Sequence, residues 1–169
     1  MTQIEIFNAV RDIPYRIPLS EEEQDHTCMG KYELLKERLE VLGKKTRPRT
    51  TDFSWSDLPL PDYLREIERD DNPGHIYLEV YNGERWCIVD PTWDSGLERV
   101  LPVSYWDGRA DTSIAWPTRR IHTPEESLRE INEDDDPNYD PEEDLRKNGR
   151  FYEAFNNWLE DIRKGRYKK

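Results

Sequence analysis

The segment from His75 to Asp90 constrains the fold more than any other part of the sequence, because it has the pattern of a β-hairpin. Two strand-like runs flank Asn82-Gly83, a dipeptide that strongly favours a two-residue turn. Such a turn fixes the pairing register of both strands. The predicted register places Tyr81 opposite Glu84, and each outward step keeps the same sum of residue numbers.

At the ends of this hairpin, the predicted register pairs His75 with Asp90. Directly opposed residues of an antiparallel pair lie on one face with Cβ atoms about 4.5 to 5.5 Å apart, so a carboxylate there can hold one imidazole nitrogen. The opposite face is expected to be core and to include Cys87, which we interpret as inert. We expect a helix to pack on the face of His75, which also carries Tyr77 and Glu79.

A helix that begins at Cys28 is expected to supply a nucleophile. Thr27 is a favourable N-cap, and the helical pattern runs to a glycine stop at Gly43. The apolar stripe that contains the thiol continues with Tyr32, Leu35, Leu39 and Leu42. Cys28 therefore faces inward on the first turn, where the positive end of the helix favours a thiolate and free backbone amides favour an oxyanion.

Each of these signals also has a purely structural interpretation. A cysteine on an apolar helix face is most often a buried small hydrophobe, a histidine can simply begin a strand, and an aspartate before proline can simply end one. The combination favours chemistry, because Cys28, His75 and Asp90 follow the order nucleophile, base and orienting carboxylate. The sequence therefore predicts a catalytic triad.

Short blocks of sequence surround these three residues. They are Cys28-Met29-Gly30-Lys31, Leu42-Gly43, His75 through Val80, and Trp86 followed by Asp90-Pro91-Thr92-Trp93-Asp94. Together with a leading segment, 6–15, they resemble the transglutaminase-like superfamily of papain-like cysteine enzymes over roughly residues 4 to 95. The resemblance implies that Cys28 is the nucleophile, His75 the general base and Asp90 the orienting carboxylate. It also implies a papain-like α+β core, in which a central helix with the cysteine on its first turn packs against an antiparallel β-sheet.

The chain divides into three parts. Residues 1–122 form the predicted catalytic core, in which 96–122 are expected to add one or two strands and the basic segment 44–49, which contains a proline, predicts an edge strand or an irregular loop. Residues 123–148 combine a short helix with an acidic, proline-containing run typical of a solvated linker. Residues 149–169 carry apolar residues at helical spacing, which predicts an amphipathic helix docked on the core.

Further residues are candidates for binding substrate. Gln24 lies just upstream of Cys28 and is a candidate to form an oxyanion hole with it. The candidates for a substrate groove are Trp55, Tyr77 and Trp93, although large aromatic side chains more often anchor a core. Lys31, beside Cys28, is interpreted as a solvated surface lysine.

Charge and composition restrict the partners. The formal net charge is −12 and the sequence pI is about 4.8, so nucleic acids and anionic membranes would be repelled. No stretch approaches the roughly 18 apolar residues of a membrane span. The two cysteines make no disulfide framework, and with the three histidines they show no metal-ligand spacing. We therefore expect a cytoplasmic protein that uses neither metal nor cofactor.

The predicted activity is acyl transfer from an amide bond of a peptide or protein substrate, through a thioester on Cys28. Hydrolysis is favoured over amine transfer, because water is always present while an amine acceptor needs its own site. The alternative is a catalytically silent transglutaminase-like scaffold or peptide-binding module. A redox sensor at Cys28 is a third interpretation. The substrate and the oligomeric state stay open.

Overall fold

A small antiparallel sheet lies at the centre of the fold. The computed structural model describes residues 1–116, 118–134 and 140–167. Within these residues the strands are β1 (Thr46–Thr51), β2 (His75–Tyr81) and β3 (Trp86–Val89), paired in the order β1-β2-β3. The helices are α1 (Gln3–Arg11), α2 (Cys28–Val41), α3 (Asp62–Arg65), α4 (Pro124–Asp134) and α5 (Pro141–Arg163), with short 3-10 turns at Trp55–Asp57 and Ser95–Leu97. The fold class is α+β, as predicted.

Helix α2 begins where the sequence predicts, with Thr27 as its N-cap. The Thr27 side chain makes no capping hydrogen bond. Asp25 orders this segment instead, because its Oδ1 accepts the backbone N–H of Thr27 at 2.7 Å. At the other end, Gly43 adopts a φ of 75°, a left-handed conformation that favours glycine and ends the helix.

The predicted hairpin is present, but its turn is longer than two residues. Tyr81 pairs with Trp86, so four residues separate the strands. Asn82 accounts for the wider turn, since its Oδ1 accepts the backbone N–H of Glu84 at 2.9 Å and that of the next residue at 3.0 Å. The predicted pairing of Tyr81 with Glu84 is therefore wrong by two residues. Side chains alternate along a strand, so a shift of two keeps each of them on its predicted face.

Helices α1 and α2 pack on the opposite face of the sheet from the one predicted. The first apolar cluster joins them to even-numbered residues of β2: its members are Ile6, Phe7, Val10, Tyr32, Leu35, Leu39, Ile76, Leu78, Val80, Val89 and Trp106. On the other face Glu79 receives Arg49 Nη1 at 2.8 Å and Arg47 Nε at 2.5 Å. These ion pairs take the place of the helix expected beside Tyr77 and Glu79.

The expectation of further strands within residues 96–122 is wrong. Among the described residues of this segment, Ile121 makes a single bridge with Thr51. At the edge of β3, Asp111 Oδ1 accepts the backbone N–H of Ile88 at 2.8 Å, and the backbone N–H of Thr112 donates to the Ile88 carbonyl at 2.9 Å. A carboxylate thus covers an edge that we expected a strand to cover. The basic segment forms β1, an edge strand, where a proline is tolerated.

Helix α5 is longer than predicted, because it begins at Pro141 and not at residue 149. Asp140 caps it by accepting the backbone N–H of Glu142 at 3.0 Å and of Glu143 at 3.3 Å. An Asp cap followed by proline at the first helical position is a helix start, which the acidic composition concealed. The middle of the expected linker, residues 135–139, lies outside the described residues.

Aromatic side chains of α5 anchor the second apolar cluster. Its buried members are Tyr15, Ile17, Phe53, Trp55, Leu58, Leu60, Leu64, Trp93, Leu97, Leu101, Ala115, Trp116, Phe151, Phe155, Trp158, Leu159 and Ile162. The predicted amphipathic helix is therefore packed into the core, in line with the expected docking. Among the described residues, no helix combines the length and the apolar character needed to cross a membrane.

An ion pair between a buried carboxylate and a partly buried guanidinium fixes α5 to the segment that follows β3. Arg163 donates to both Asp94 oxygens, at 2.7 and 3.0 Å, and to the Tyr15 carbonyl at 2.9 Å. Asp94 also accepts the backbone N–H of Tyr15 at 3.0 Å. Burial alone would raise the pKa of Asp94, but these partners hold that pKa below its ordinary value.

We predict that Arg163→Met lowers the free energy of unfolding by about 3 kcal/mol, because it leaves the Asp94 carboxylate buried without its cation. Urea denaturation measures this loss. The matched control is Arg166→Met, whose partner Asp161 and own side chain are 44% and 61% exposed, and whose effect should stay within about 0.5 kcal/mol. Equal losses in both variants would contradict the role given to the Arg163–Asp94 pair.

Candidate active site

The first turn of α2 holds Cys28 at a cavity of about 700 Å³. The backbone of Asp25 can lie close against this turn only because residue 30 is glycine. A Cβ atom at Gly30 would lie 2.0 Å from the carbonyl oxygen of Asp25. The residues that line the same cavity include Thr27, Met29, Thr51, His75 and Trp116. The structure therefore places the predicted nucleophile and the predicted base at the same cavity.

His75 and Asp90 form a fully buried pair, as expected from the sequence. His75 Nε2 donates to Asp90 Oδ2 at 2.7 Å, and both side chains have 0% exposure. Asp90 Oδ2 also accepts the backbone N–H of Ala115 at 2.8 Å, while Oδ1 accepts the Thr92 backbone N–H and hydroxyl at 3.1 and 2.6 Å. Both carboxylate oxygens are thus occupied, which fixes the carboxylate against the ring.

The electrostatics of this pair favour charge on both members. Burial alone would raise the pKa of Asp90, but His75 and the donors from Thr92 and Ala115 hold that pKa below its ordinary value. For His75, burial opposes the charged form, yet Asp90 and then Cys28 raise the pKa to about 9. The imidazole is therefore held by Asp90 on one side and influenced by the Cys28 thiol on the other.

The second ring nitrogen of His75 is available for chemistry. Nδ1 is buried and, among the described residues, no hydrogen-bond partner for it is found. Trp116 stands edge-on to the imidazole, with ring centroids 5.4 Å apart and planes at 81°. With Nε2 committed to Asp90, Nδ1 is the nitrogen that can exchange a proton at the cavity.

The remaining candidates from the sequence are divided between the cavity and other parts of the structure. Trp55 lines the cavity, although it is only 5% exposed. Tyr77 and Trp93 are each 1% exposed and lie outside the cavity lining, because Trp93 packs against Trp116 in the core and Tyr77 is buried beneath the sheet face. Gln24 is exposed and also lies outside the lining, so the structure gives it no contact with the site.

Two polar groups of the cavity were missed in the sequence. Thr51 Oγ1 and Trp116 Nε1 are both buried and lack a hydrogen-bond partner among the described residues, and both residues line the cavity. Thr51 is the register partner of His75, so a correct pairing of the basic strand would have revealed it. Trp116 carries no comparable signal, since it lies in an irregular segment.

A second histidine, His122, also lines the cavity but has both nitrogens occupied. Nε2 donates to Asp52 at 2.8 Å, and Nδ1 faces Glu130 at 2.7 Å and the Thr50 hydroxyl at 2.9 Å. Burial opposes the charged form, but the two carboxylates raise the pKa of His122 above its ordinary value. This imidazole joins β1 to α4 and offers no free nitrogen for proton transfer.

No group of three or more His, Cys, Asp or Glu residues in the described part of the chain is arranged to hold a metal ion.

We predict that Gly30→Ala lowers the free energy of unfolding by about 2 kcal/mol, because the new methyl group collides with the Asp25 carbonyl. Helix propensity alone predicts the opposite sign, a gain of about 1 kcal/mol. Gly149→Ala is the control, since in α5 nothing lies within 4 Å of an added Cβ atom. Urea denaturation of the two variants should give opposite signs, and a gain in both would refute the close approach at Gly30.

We further predict that the His75–Asp90 pair stabilises the fold in a pH-dependent manner. The native state keeps the proton of His75 up to about pH 9, whereas an unfolded histidine releases it near 6.5. The stabilisation is therefore fully present below pH 6.5 and falls by about 3 kcal/mol as the pH rises through 9. The measurement is the difference in unfolding free energy between the wild type and the double variant His75→Gln/Asp90→Asn. A difference that does not change over this range would show that the buried imidazole is neutral.

Comparisons with protein-family models, with curated proteins and with solved structures find no match to this chain.

Proposed function

We propose that this protein is a transglutaminase-like cysteine enzyme that cleaves amide bonds of peptide or protein substrates through Cys28, His75 and Asp90. The observation that carries the proposal is the buried His75–Asp90 pair beside a cavity that Cys28 also lines, with His75 Nδ1 lacking a hydrogen-bond partner in the described part of the chain. A central helix with the cysteine at its start and an antiparallel sheet with the histidine support a papain-like core. The two free cysteines suit a reducing, cytoplasmic compartment.

The first step is attack of the Cys28 sulfur on the amide carbonyl carbon. The thiol proton resides on His75 Nδ1 before the attack, because the ring is held as an imidazolium beside the sulfur, and it passes from Nδ1 to the leaving amine as the carbon–nitrogen bond breaks. Asp90 holds Nε2 throughout, so that the ring keeps its orientation and its positive charge is balanced. A thioester between Cys28 and the acyl group results, and the amine product departs.

The second step regenerates the starting pair. After the first step His75 is neutral, so as water attacks the thioester carbon Nδ1 removes one proton from that water and keeps it, and the carbon–sulfur bond breaks with its electron pair left on the Cys28 sulfur. The acyl group leaves as a carboxylic acid. Hydrolysis is preferred to transfer onto an amine, because water needs no dedicated binding site.

Stabilisation of the developing oxyanion comes from the beginning of α2. The first amides of a helix have no partner within the helix and present the positive end of its dipole. Thr51 Oγ1 and Trp116 Nε1 also lie at this cavity without a hydrogen-bond partner among the described residues, and we assign them to substrate binding. The α2 amides take the oxyanion role that the sequence suggested for Gln24, because Gln24 is exposed and lies outside the cavity lining.

The test is the reaction with p-nitrophenyl acetate, a small activated acyl donor. We expect a burst of p-nitrophenolate equal to the enzyme concentration and an acetyl thioester on Cys28, identified by peptide mass spectrometry. Cys28→Ala should abolish both, and His75→Ala should slow the burst by roughly 10²- to 10⁴-fold. Cys87→Ala is the matched control and should behave as the wild type, since Cys87 is buried away from the cavity.

A folded wild type that shows no burst, or one whose acetyl group lies elsewhere than Cys28, would refute the proposed activity. That result would favour the alternative of a catalytically silent peptide-binding module.

A further inference from the structure

Lys31 lies one turn after Cys28 on α2 and is buried, with 1% exposure, so its interpretation as a solvated surface lysine is wrong. Its Nζ donates to the carbonyl of Arg11 at 2.8 Å and to that of Thr92 at 2.9 Å, and the Pro91 carbonyl lies 3.5 Å away. Three carbonyl acceptors match the three N–H bonds of an ammonium group. Backbone carbonyl oxygens therefore take the place of the water molecules that would otherwise solvate the ammonium group.

The segments that supply these carbonyls both bear on the candidate site. Arg11 is the last residue of α1, and Thr92 lies two residues after Asp90. Thr92 in turn donates its backbone N–H and its hydroxyl to Asp90 Oδ1, at 3.1 and 2.6 Å. Lys31 thus connects the helix of Cys28, through a single residue, to the carboxylate that orients His75.

Packing alone does not account for a lysine at this position. Removing an ammonium group from water is costly, and burial lowers the pKa of Lys31 to about 7, with Asp94 opposing and Arg163 assisting that shift. A methionine would fill a similar volume without this cost. The lysine adds directional hydrogen bonds to the end of α1 and to the segment after β3. A methionine would make no hydrogen bond to either segment.

We propose that Lys31 is a positioning residue of the Cys28–His75–Asp90 site, which holds the helix of the nucleophile in register with the loop of the orienting carboxylate. This inference rests on the proposed function for its kinetic consequence. Its structural content is independent of that function, because it concerns the geometry of the His75–Asp90 hydrogen bond. The bond can be observed whether or not the protein is an enzyme.

The test compares Lys31→Met with Leu39→Ala. Leu39 lies on the same helix about three turns after Cys28 and is fully buried, so its truncation destabilises α2 while the hydrogen bonds of Lys31 to the Arg11 and Thr92 carbonyls are kept. The first readout is the downfield proton resonance of the His75 imidazole N–H that is bonded to Asp90. The second is the burst with p-nitrophenyl acetate, resolved into its limiting rate constant and its half-saturating concentration.

For Lys31→Met we expect the imidazole resonance to shift or broaden and the limiting burst rate constant to fall by up to about 100-fold, because small misplacements of reacting groups are costly. The half-saturating concentration should change little. Leu39→Ala should keep the wild-type resonance and rate constant, although its unfolding free energy is lower. An unchanged resonance and rate constant in Lys31→Met would overturn the inference.

The inference about Lys31 stays testable if the wild type shows no burst or if Lys31→Met does not fold. If the wild type shows no burst, the proposed activity is refuted, and the imidazole resonance alone tests the positioning role of Lys31. If Lys31→Met does not fold, Lys31→Gln is used, which removes the charge but keeps two N–H donors. Loss of the wild-type resonance in folded Lys31→Gln supports the role of the ammonium group, and its full retention overturns it.

Discussion

The burial of the Asp90 carboxylate is the constraint on which much of the structure depends. A charge without solvent must be surrounded by donors, and here these come from three different parts of the chain: His75 on β2, Thr92 after β3 and Ala115 in the irregular segment. Satisfying this one carboxylate therefore brings a strand, a turn and a distant loop together. Trp116 follows Ala115 in the chain, so the hydrogen bond from Ala115 to Asp90 also places Trp116 against the His75 imidazole.

Much of the candidate site could be predicted from the sequence, even though the predicted strand register was incorrect. The register of the hairpin was wrong by two residues, because the Asn82 side chain builds a four-residue turn. The prediction that His75 meets Asp90 survived, since a strand repeats its orientation every two residues. The start of α2 at Cys28 was also correct, with Thr27 at the N-cap position, although the Thr27 side chain makes no capping hydrogen bond.

Other features could not be predicted, because they depend on contacts between distant parts of the chain. A lysine beside a cysteine gives no sign that it will face three carbonyls, and the pattern of Lys31 is that of a surface residue. The irregular segment covers the edge of β3 with the Asp111 carboxylate, and no periodicity records such a contact. The aromatic candidates are divided for a related reason: Trp55 lines the cavity while Tyr77 and Trp93 do not, because composition identifies large side chains but not which of them borders a cavity.

The position of α5 in the chain has a consequence for biosynthesis. Arg163 binds Asp94 and the Tyr15 carbonyl, and the aromatic residues of α5 pack with Trp93 and Trp116 around the site. Cys28, by contrast, lies far upstream of α5 in the chain. A nascent chain thus exposes its thiol long before the last described helix has left the ribosome. The mature arrangement around Cys28 is therefore completed only after translation has passed residue 163.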